Sequence, residues 1–241
     1  MIDFHSHILP GIDDGSKDAA TSLLMLNALK KQGADTVCAT SHFYATQRTV
    51  DRFLFRRQEA WDRLQEVLPQ DAPRILLGAE VLYYPGIANM EELPSLCLEG
   101  TRLLLLEMPF EPWTGYMTRE VSDLARRGDV QLLMAHIERY FFYQPISVWD
   151  EFLDLGILMQ SNAEFFLPFK TRRKAMRLLE DGYIHLLGSD AHNMSSRAPN
   201  LDKARARIAK ALGEETLEYI DTLGAQLLAD TKNSTNKSAA Q

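Results

Sequence analysis

Apolar residues follow two different periods along this chain. Short, mostly apolar runs alternate with longer segments in which apolar residues recur every three or four positions. Short buried runs are typical of parallel strands and the longer period is typical of helices, so the alternation predicts βα units around a parallel sheet. Six of the short runs cover residues 1–4, 36–41, 75–79, 103–106, 130–135 and 184–189, and a further one covers residues 157–160.

The helical segments lie between these runs. Ser16 is expected to cap the first helix, Gly33 to end it, and Pro69 to end the second. Residues 83–95 contain two prolines and a glycine, which predicts an irregular connection. The helices after the first are predicted at residues 50–68, 117–127, 148–155, 171–180, 201–212 and 214–228. Together the elements predict one α/β domain of about seven βα units over residues 1–229, followed by a disordered polar tail at 230–241.

Composition fits one soluble domain. The chain has 241 residues, of which 46% are hydrophobic, enough for a full core. It shows neither a basic secretion signal nor an apolar run near the ~18 residues of a membrane span, so we expect a cytoplasmic protein without membrane insertion. Cys38 and Cys97 lie within or beside apolar stretches, which predicts buried thiols rather than a disulfide framework.

The formal net charge of −7 argues mildly against a nucleic-acid binder, because such proteins usually carry a basic stripe. The argument is weak, because bound divalent cations invert the local field, so an acidic chain can still bind phosphate in its site.

The six strand-like runs end on residues that bind metals. Five of the six histidines stand at these ends, where a parallel barrel gathers its active-site residues on one face. Singly, each residue has an ordinary explanation: Asp13-Asp14-Gly15 is a turn motif, and a strand-end carboxylate is often the partner of an arginine. Jointly they predict a multinuclear metal site, and the absence of cysteine ligands fits Mn²⁺, Zn²⁺ or Fe²⁺. The strand-end residues are His5, His7, His42, Glu80, Glu107, His136, Asp190 and His192.

From Met1 to about Leu228 the chain resembles the polymerase and histidinol phosphatase (PHP) superfamily, and more closely the bacterial tyrosine-protein phosphatases of capsule and exopolysaccharide loci. The resemblance implies a distorted (β/α)₇ barrel, similar to a TIM barrel, in a single domain with three divalent ions, most often Mn²⁺ (alternatives Fe²⁺, Zn²⁺ and Mg²⁺). The motifs that carry it are Asp3-Phe4-His5-Ser6-His7, Asp13-Asp14-Gly15, Thr40-Ser41-His42, Gly78-Ala79-Glu80, Glu107-Met108-Pro109, His136-Ile137-Glu138-Arg139-Tyr140 and Ser189-Asp190-Ala191-His192-Asn193 with Arg197.

The resemblance also implies a role for each site residue. His5, His7, Glu80 and Asp190 would hold a first metal, and Glu80 would bridge to a second that Glu107 and His136 also hold. Asp14, His42 and His192 would hold the third, with Asp13 as the alternative to Asp14. Arg139 and Arg197 would act in catalysis by holding phosphoryl oxygens, and the alternative for each arginine is a salt bridge with a neighbouring carboxylate. One departure is Arg197-Ala198-Pro199, where the family more often has Arg-Pro-Pro.

The implied activity is metal-dependent hydrolysis of phosphotyrosine on a protein. The expected substrate is the carboxyl-terminal tail of an autophosphorylated bacterial tyrosine kinase that controls capsule or exopolysaccharide synthesis and export. Alternatives are a phosphatase of small molecules such as histidinol phosphate, a nuclease, and a non-enzymatic module that holds metal structurally. Cysteine-based phosphatase chemistry is excluded, because it needs an arginine six residues after the cysteine, where this chain has Tyr44 and Leu103. Loop aromatics could line a groove for the tyrosine ring or simply pack: Phe43, Tyr44, Tyr83, Tyr84, Phe110 and Trp113.

Overall fold

The computed structural model describes residues 1–229, so the predicted tail at 230–241 lies outside the described residues. All strand pairings within that range are parallel. The strands are β1 (Ile2–Ser6), β2 (Thr36–Ala39), β3 (His42–Phe43), β4 (Arg74–Leu77), β5 (Glu80–Leu82), β6 (Leu103–Glu107), β7 (Gln131–Met134), β8 (Leu158–Asn162) and β9 (Leu186–Gly188).

The strands form a distorted barrel of seven passages. One sheet has the order β1-β2-β4 and the other the order β3-β5-β6-β7-β8-β9. Only two residues separate β2 from β3 and β4 from β5, so these two passages belong to both sheets. A bridge between Ser6 and Ala191 joins the two remaining edges, and the Asp190 amide donates to the His5 carbonyl at 2.7 Å. The predicted α/β barrel is therefore confirmed.

Helices cover the outside of the barrel. They are α1 (Ala19–Lys31), α2 (Val50–Gln65), α3 (Gly115–Arg126), α4 (Ile146–Asp154), α5 (Phe169–Glu180), α6 (Leu201–Leu212) and α7 (Glu214–Ala229). The predicted irregular connection after β5 contains two short 3₁₀ turns, Ile87–Asn89 and Leu93–Leu96. Among the described helices, none is long and apolar enough to cross a membrane.

Several predicted boundaries were wrong, each for a local reason. Ser16 does not cap α1; the Asp18 carboxylate does, accepting the Thr21 amide at 2.8 Å, while Ser16 is buried in the preceding loop. Helix α2 ends at Gln65 rather than residue 68: residues 66 and 67 form a turn, and Leu68, which precedes Pro69, is driven away from helical geometry. Helices α4 and α5 each begin directly after a proline, two residues earlier than predicted.

The barrel interior is filled by one face of the strands. Leu103 and Leu105 of β6 point inward with Phe4, Cys38 and other strand residues. Helix α7 packs against Ile2 and Phe4 and covers the barrel end where the strands begin. The opposite end, where the strands finish, is left for polar residues. Both cysteines are buried free thiols, as predicted.

Candidate metal and phosphate site

All nine predicted ligands meet at the end of the barrel where the strands finish. They form four overlapping groups, in each of which one ligand atom per residue lies within 4.8 Å of the others. Eight of the nine side chains are buried or nearly so, and Asp14 is exposed. The groups are His7, Asp14, His42 and His192; His5, His7 and Asp190; His5, Glu80 and His136; and His42, Glu80 and Glu107.

The strands place these side chains by their register and their ends. Glu107 continues the inward alternation of Leu103 and Leu105, and His42 is paired directly with Glu80 across β3 and β5. Two ligands need unusual backbone: His136 has φ 29° and Asp190 has φ 50°. Such left-handed conformations cost about 1–3 kcal/mol each in residues other than glycine, and they cluster at functional sites.

The hydrogen bonds of His5 fix which of its nitrogens carries the proton. Gln160 Oε1 accepts the His136 amide at 2.8 Å, so this atom is identified as the amide oxygen. The same oxygen lies 3.1 Å from His5 Nδ1, which must therefore be the donor. The lone pair of neutral His5 is then on Nε2, which faces the centre of the cluster.

His7 and His192 are oriented in the same way. His7 Nδ1 lies 2.8 Å from the Asp13 carboxylate, and His192 Nδ1 lies 2.9 Å from the Asp190 carbonyl oxygen. Each Nδ1 donates, and each Nε2 therefore faces the cluster. His5 Nε2 and His7 Nε2 are only 3.1 Å apart, an approach of two lone pairs that requires a proton or a cation beside them.

The spacing of the ligand atoms fits bound cations. Ligands about 2.1 Å from one ion lie about 3.0 Å apart at right angles and about 3.4 Å apart at the tetrahedral angle. Glu80 Oε2 is 3.2 Å from the Nε2 atoms of both His5 and His7, and 3.0 Å from His42 Nδ1. Within residues 1–229, Glu80 Oε2, His42 Nδ1 and His192 Nε2 are buried without a hydrogen-bond partner of good geometry. Each of these atoms faces another residue of the cluster, and unsatisfied buried atoms of this kind are what a metal cradle requires.

The pKa shifts show the same demand for positive charge. Burial alone would lower the pKa of His7, but the Asp13 and Glu80 carboxylates overcome it and raise the pKa to about 10. Glu107 and Glu80 likewise overcome burial at His136 and raise its pKa to about 9. Buried carboxylates must be neutralised, and cations bound at these nitrogens would do so in place of protons.

The structure distinguishes Asp13 from Asp14. Both Asp13 oxygens are occupied, since one accepts from His7 Nδ1 and the His42 amide and the other accepts the Gly15 amide. Asp14 Oδ1 instead lies 3.4 Å from His42 Nε2 and 3.3 Å from His192 Nε2. Asp14 is thus the residue that joins the ligand cluster, and Asp13 orients His7.

The sequence interpretation missed the residues that hold the ligands in place. Gln160 fixes His5 and the His136 backbone, and Asn162 Nδ2 donates to Asp190 Oδ2 at 2.8 Å. The half-buried Glu138 carboxylate accepts from Ser161 Oγ and the Asn162 amide. A signal was present, because β8 ends in the polar run Gln160-Ser161-Asn162 just as the other strands end in ligands.

Arg139 and Arg197 converge on Asp190. The Nη2 atom of each lies 2.6 Å from Asp190 Oδ2, so the salt-bridge alternative is observed for both. Each guanidinium is nevertheless about one-third exposed and lines a polar cavity of about 200 Å³. Asp190 therefore faces the imidazoles with Oδ1, 3.6 and 3.5 Å from the Nε2 atoms of His5 and His7, and the arginines with Oδ2.

The loop aromatics divide into two groups. Phe43 and Tyr83 are core residues, and Tyr84 and Trp113 pack against the core from partly buried positions. Tyr44, which stacks on His42, and the half-exposed Phe110 instead line a cleft of about 450 Å³ that also contains Glu107. The cleft therefore opens beside the candidate ligands.

The sixth histidine stands apart. His185 Nδ1 accepts the Met159 amide at 3.1 Å, between β8 and the start of β9, and within the described range His185 joins none of the metal-binding groups.

Comparison with known proteins places this geometry in a family. The family model described as capsular polysaccharide synthesis, CpsB/CapC, matches residues 1–228. The tyrosine-protein phosphatase YwqE of Bacillus subtilis is 32% identical over 239 residues, covering 95% of this chain and 91% of YwqE. The tyrosine-protein phosphatase CpsB of Streptococcus agalactiae serotype V is 27% identical, covering 94% of this chain and 97% of CpsB.

Solved structures agree. A chain from the crystal structures of YwqE and of CpsB from Streptococcus pneumoniae, described as metal-dependent tyrosine phosphatases, matches with a TM-score of 0.80 and 27% identity, covering 95% of this chain and 94% of that chain. A histidinol phosphate phosphatase of Lactococcus lactis shares only the fold, at a TM-score of 0.58 and 15% identity over 88% of this chain and 93% of that chain. This chain therefore belongs to the CpsB/CapC family of capsular polysaccharide synthesis proteins.

Proposed function

We propose that this protein is a metal-dependent phosphatase that removes phosphate from tyrosine residues of a protein. The observation that carries the proposal is Asp190, which joins two arginines on one oxygen to the imidazole cluster on the other. A phosphate bound by the arginines would touch the cation cradle. The names of the relatives, tyrosine-protein phosphatases, support the same activity.

Three divalent ions, with Mn²⁺ preferred, would be held by the nine clustered ligands. His5, His7, Glu80 and Asp190 would hold the first, Glu80, Glu107 and His136 the second, and Asp14, His42 and His192 the third. Divalent ions there would act as Lewis acids and would lower the pKa of a water molecule, so that hydroxide is available at neutral pH. The oxygen- and nitrogen-only donor set supports Mn²⁺, Fe²⁺, Zn²⁺ or Mg²⁺ over softer ions.

The two arginines would bind and orient the phosphoryl group. Hydrolysis forms a P–O bond from water and breaks the P–O bond to the phenol, so charge on the phosphoryl oxygens must be neutralised throughout. A guanidinium matches two phosphate oxygens with two parallel N–H donors. Asp190 and Asn162 would fix Arg139 and Arg197 in advance, which reduces the reorganisation required in the transition state.

The cleft between Tyr44 and Phe110 would receive the ring of the substrate tyrosine. Its position beside Glu107 puts it within reach of the cluster, and its aromatic walls suit a phenyl group. The leaving phenolate has a reference pKa of about 10, so it departs more readily than an alkoxide. This favours tyrosine esters over serine or alkyl phosphates.

The substrate would be the carboxyl-terminal tail of an autophosphorylated tyrosine kinase in the same cytoplasmic compartment. The capsule-synthesis family supports such a partner, since phosphorylation and dephosphorylation would control export together.

A comparison of substrates tests the proposal. Phosphate release should be measured on a phosphotyrosine peptide, histidinol phosphate and single-stranded DNA, with added Mn²⁺ and with excess EDTA. We expect the peptide to give the highest kcat/KM and EDTA to abolish its turnover. Preference for histidinol phosphate or DNA in the metal-loaded enzyme would overturn the assignment to phosphotyrosine.

A further inference from the structure

A groove between α5 and α6 carries mostly positive charge. It has a volume of about 1270 Å³ and is separate from the metal site. Six cationic residues line it against two acidic ones, in a protein whose formal net charge is −7. The cations are Lys170, Arg172, Arg173, Arg177, Arg207 and Lys210.

These cations are largely unpaired. Arg177 lies 3.5 Å from Asp181 on the next turn of α5. None of the other five has a carboxylate within 4.0 Å anywhere in residues 1–229. Like charges that line one groove repel one another, so the groove is electrostatically complementary to an anionic ligand.

A comparable surface on α2 lacks this imbalance. It is lined by Arg52 and Arg56 together with Asp51 and Glu59, so its charges compensate each other. The α5/α6 groove is therefore not simply the usual mixture of a solvated helix face.

The start of α5, where the groove begins, lies near one of the two proposed phosphate-binding arginines, Arg139. A depression of about 260 Å³ runs from Arg139 to Pro168 and Thr171, at the start of α5. Phe169, 86% exposed, stands next in the chain and lines the groove, with the Arg172 guanidinium 5.8 Å from its ring. The depression reaches Pro168 and the groove begins at Phe169, so the two are neighbours at the start of α5, and an acidic segment bound in the groove would lie beyond the Glu138 and Glu164 carboxylates of the depression.

We infer that the α5/α6 groove binds an acidic segment of the protein substrate, rich in Asp and Glu, next to the phosphotyrosine in sequence. This inference rests on the proposed phosphotyrosine phosphatase activity and adds a docking element to it. Helix α5 has 12 residues and is therefore about 18 Å long. An extended peptide would cover that length with about five or six residues.

Peptide kinetics test the docking. Phosphotyrosine peptides should carry six Asp/Glu residues on either the amino or the carboxyl side, and neutral versions should carry Asn/Gln there. We expect the wild type to favour one acidic peptide by about tenfold in kcat/KM, through KM, and to lose the preference at about 0.5 M NaCl. In Arg173→Glu/Arg207→Glu the preference should vanish while turnover of the neutral peptide stays unchanged.

A matched control separates the groove from net charge. Lys31→Glu/Arg119→Glu makes the same change in charge at exposed sites on α1 and α3, and should keep the preference. Equal wild-type rates on all peptides, or equal loss in both double variants, would overturn the inference. A third outcome would also overturn it: phosphatidylserine vesicles bind the wild type but not the groove variant, and the wild type shows no preference among the peptides. The groove would then be a membrane-binding surface.

Failure of the proposed function would look different. In that case the wild type would not hydrolyse even the neutral phosphotyrosine peptide. Fluorescence anisotropy with the unphosphorylated acidic peptide then still tests the groove, because it needs no turnover: Arg173→Glu/Arg207→Glu should weaken binding about tenfold. Equal affinity in the wild type and this variant would overturn the docking inference.

Discussion

At the scale of single residues, the organisation of the site depends on which ring nitrogen of each histidine is free. His5, His7 and His192 each donate Nδ1–H to an oxygen, and each thereby presents Nε2 to the cluster. The partners are an amide, a carboxylate and a backbone carbonyl. Such partners orient metal ligands, and losing one typically reduces metal affinity by about 10–100-fold.

Gln160 gives the clearest test of this orientation. In Gln160→Leu, His5 Nδ1 and the His136 amide lose their shared acceptor, so we expect about 10–100-fold weaker metal affinity with most of kcat restored at saturating Mn²⁺. Titration of activity against Mn²⁺ measures the shift. Gln144→Leu is the control, because Gln144 is a hydrogen-bonded glutamine whose two side-chain hydrogen bonds both go to the loop at residues 111–113. An unchanged midpoint in Gln160→Leu would show that Gln160 does not position the ligands.

The residues that bind could be predicted from the sequence, but those that orient could not. His42, Glu80 and Glu107 stand out because a polar residue at the end of an apolar strand is costly without a partner. Gln160 and Asn162 do lie in a polar run at the end of β8, but their roles, like that of Asp13, depend on atoms brought together from distant strands. The salt bridges of the two arginines to Asp190 also required the structure. Arg139 precedes Asp190 by more than 50 positions and Arg197 follows it by seven, and no sequence pattern shows that both contact the same carboxylate oxygen.

At the scale of secondary structure, the period of the apolar residues predicted the order of the elements. The apolar period did not predict where the helices begin. A single capping side chain or proline sets those positions, as at Asp18, Pro145 and Pro168. The period also could not show that the second and third passages change sheets between β2 and β3 and between β4 and β5. That change depends on barrel closure, which no local pattern encodes.

Close packing of β9 against β1 is a second consequence of closure. A Cβ at Gly188 would lie 2.5 Å from His5 Cβ and 2.8 Å from Gln160 Nε2. Gly188→Ala should therefore destabilise the protein by about 1–3 kcal/mol in urea unfolding, and displace His5 enough to weaken metal binding. Gly115→Ala, where the added Cβ meets no atom within 4 Å, should be neutral or slightly stabilising. Equal stability of Gly188→Ala and the wild type would mean that the two strands are not held this tightly.

At the scale of the whole molecule, stability should depend on pH partly through His185. Burial lowers the pKa of His185 below the unfolded value of about 6.5. The unfolded chain therefore binds the proton first as the pH falls, and stability is lost below about pH 6.5. At one pH unit below that value, protonation of His185 alone lowers the free energy of unfolding by at most about 1.4 kcal/mol.

His185→Gln isolates that contribution. Urea unfolding at pH 7.5 and 5.5 in the presence of Mn²⁺ should show a smaller loss for the variant than for the wild type, because glutamine does not titrate. Its phosphatase activity should remain, since His185 lies outside the ligand cluster. If the variant loses as much stability as the wild type between pH 7.5 and 5.5, the fold does not hold His185 neutral.

The central claim is that the clustered ligands bind divalent ions that make this protein a tyrosine phosphatase. The most direct measurement is phosphate release from a phosphotyrosine peptide by the wild type, His136→Ala and His185→Gln, each with Mn²⁺ and with excess EDTA. We predict release by the wild type and His185→Gln with Mn²⁺ only, and a loss of at least about 100-fold in His136→Ala. Release that survives EDTA, or that is equal in His136→Ala and the wild type, would contradict the account.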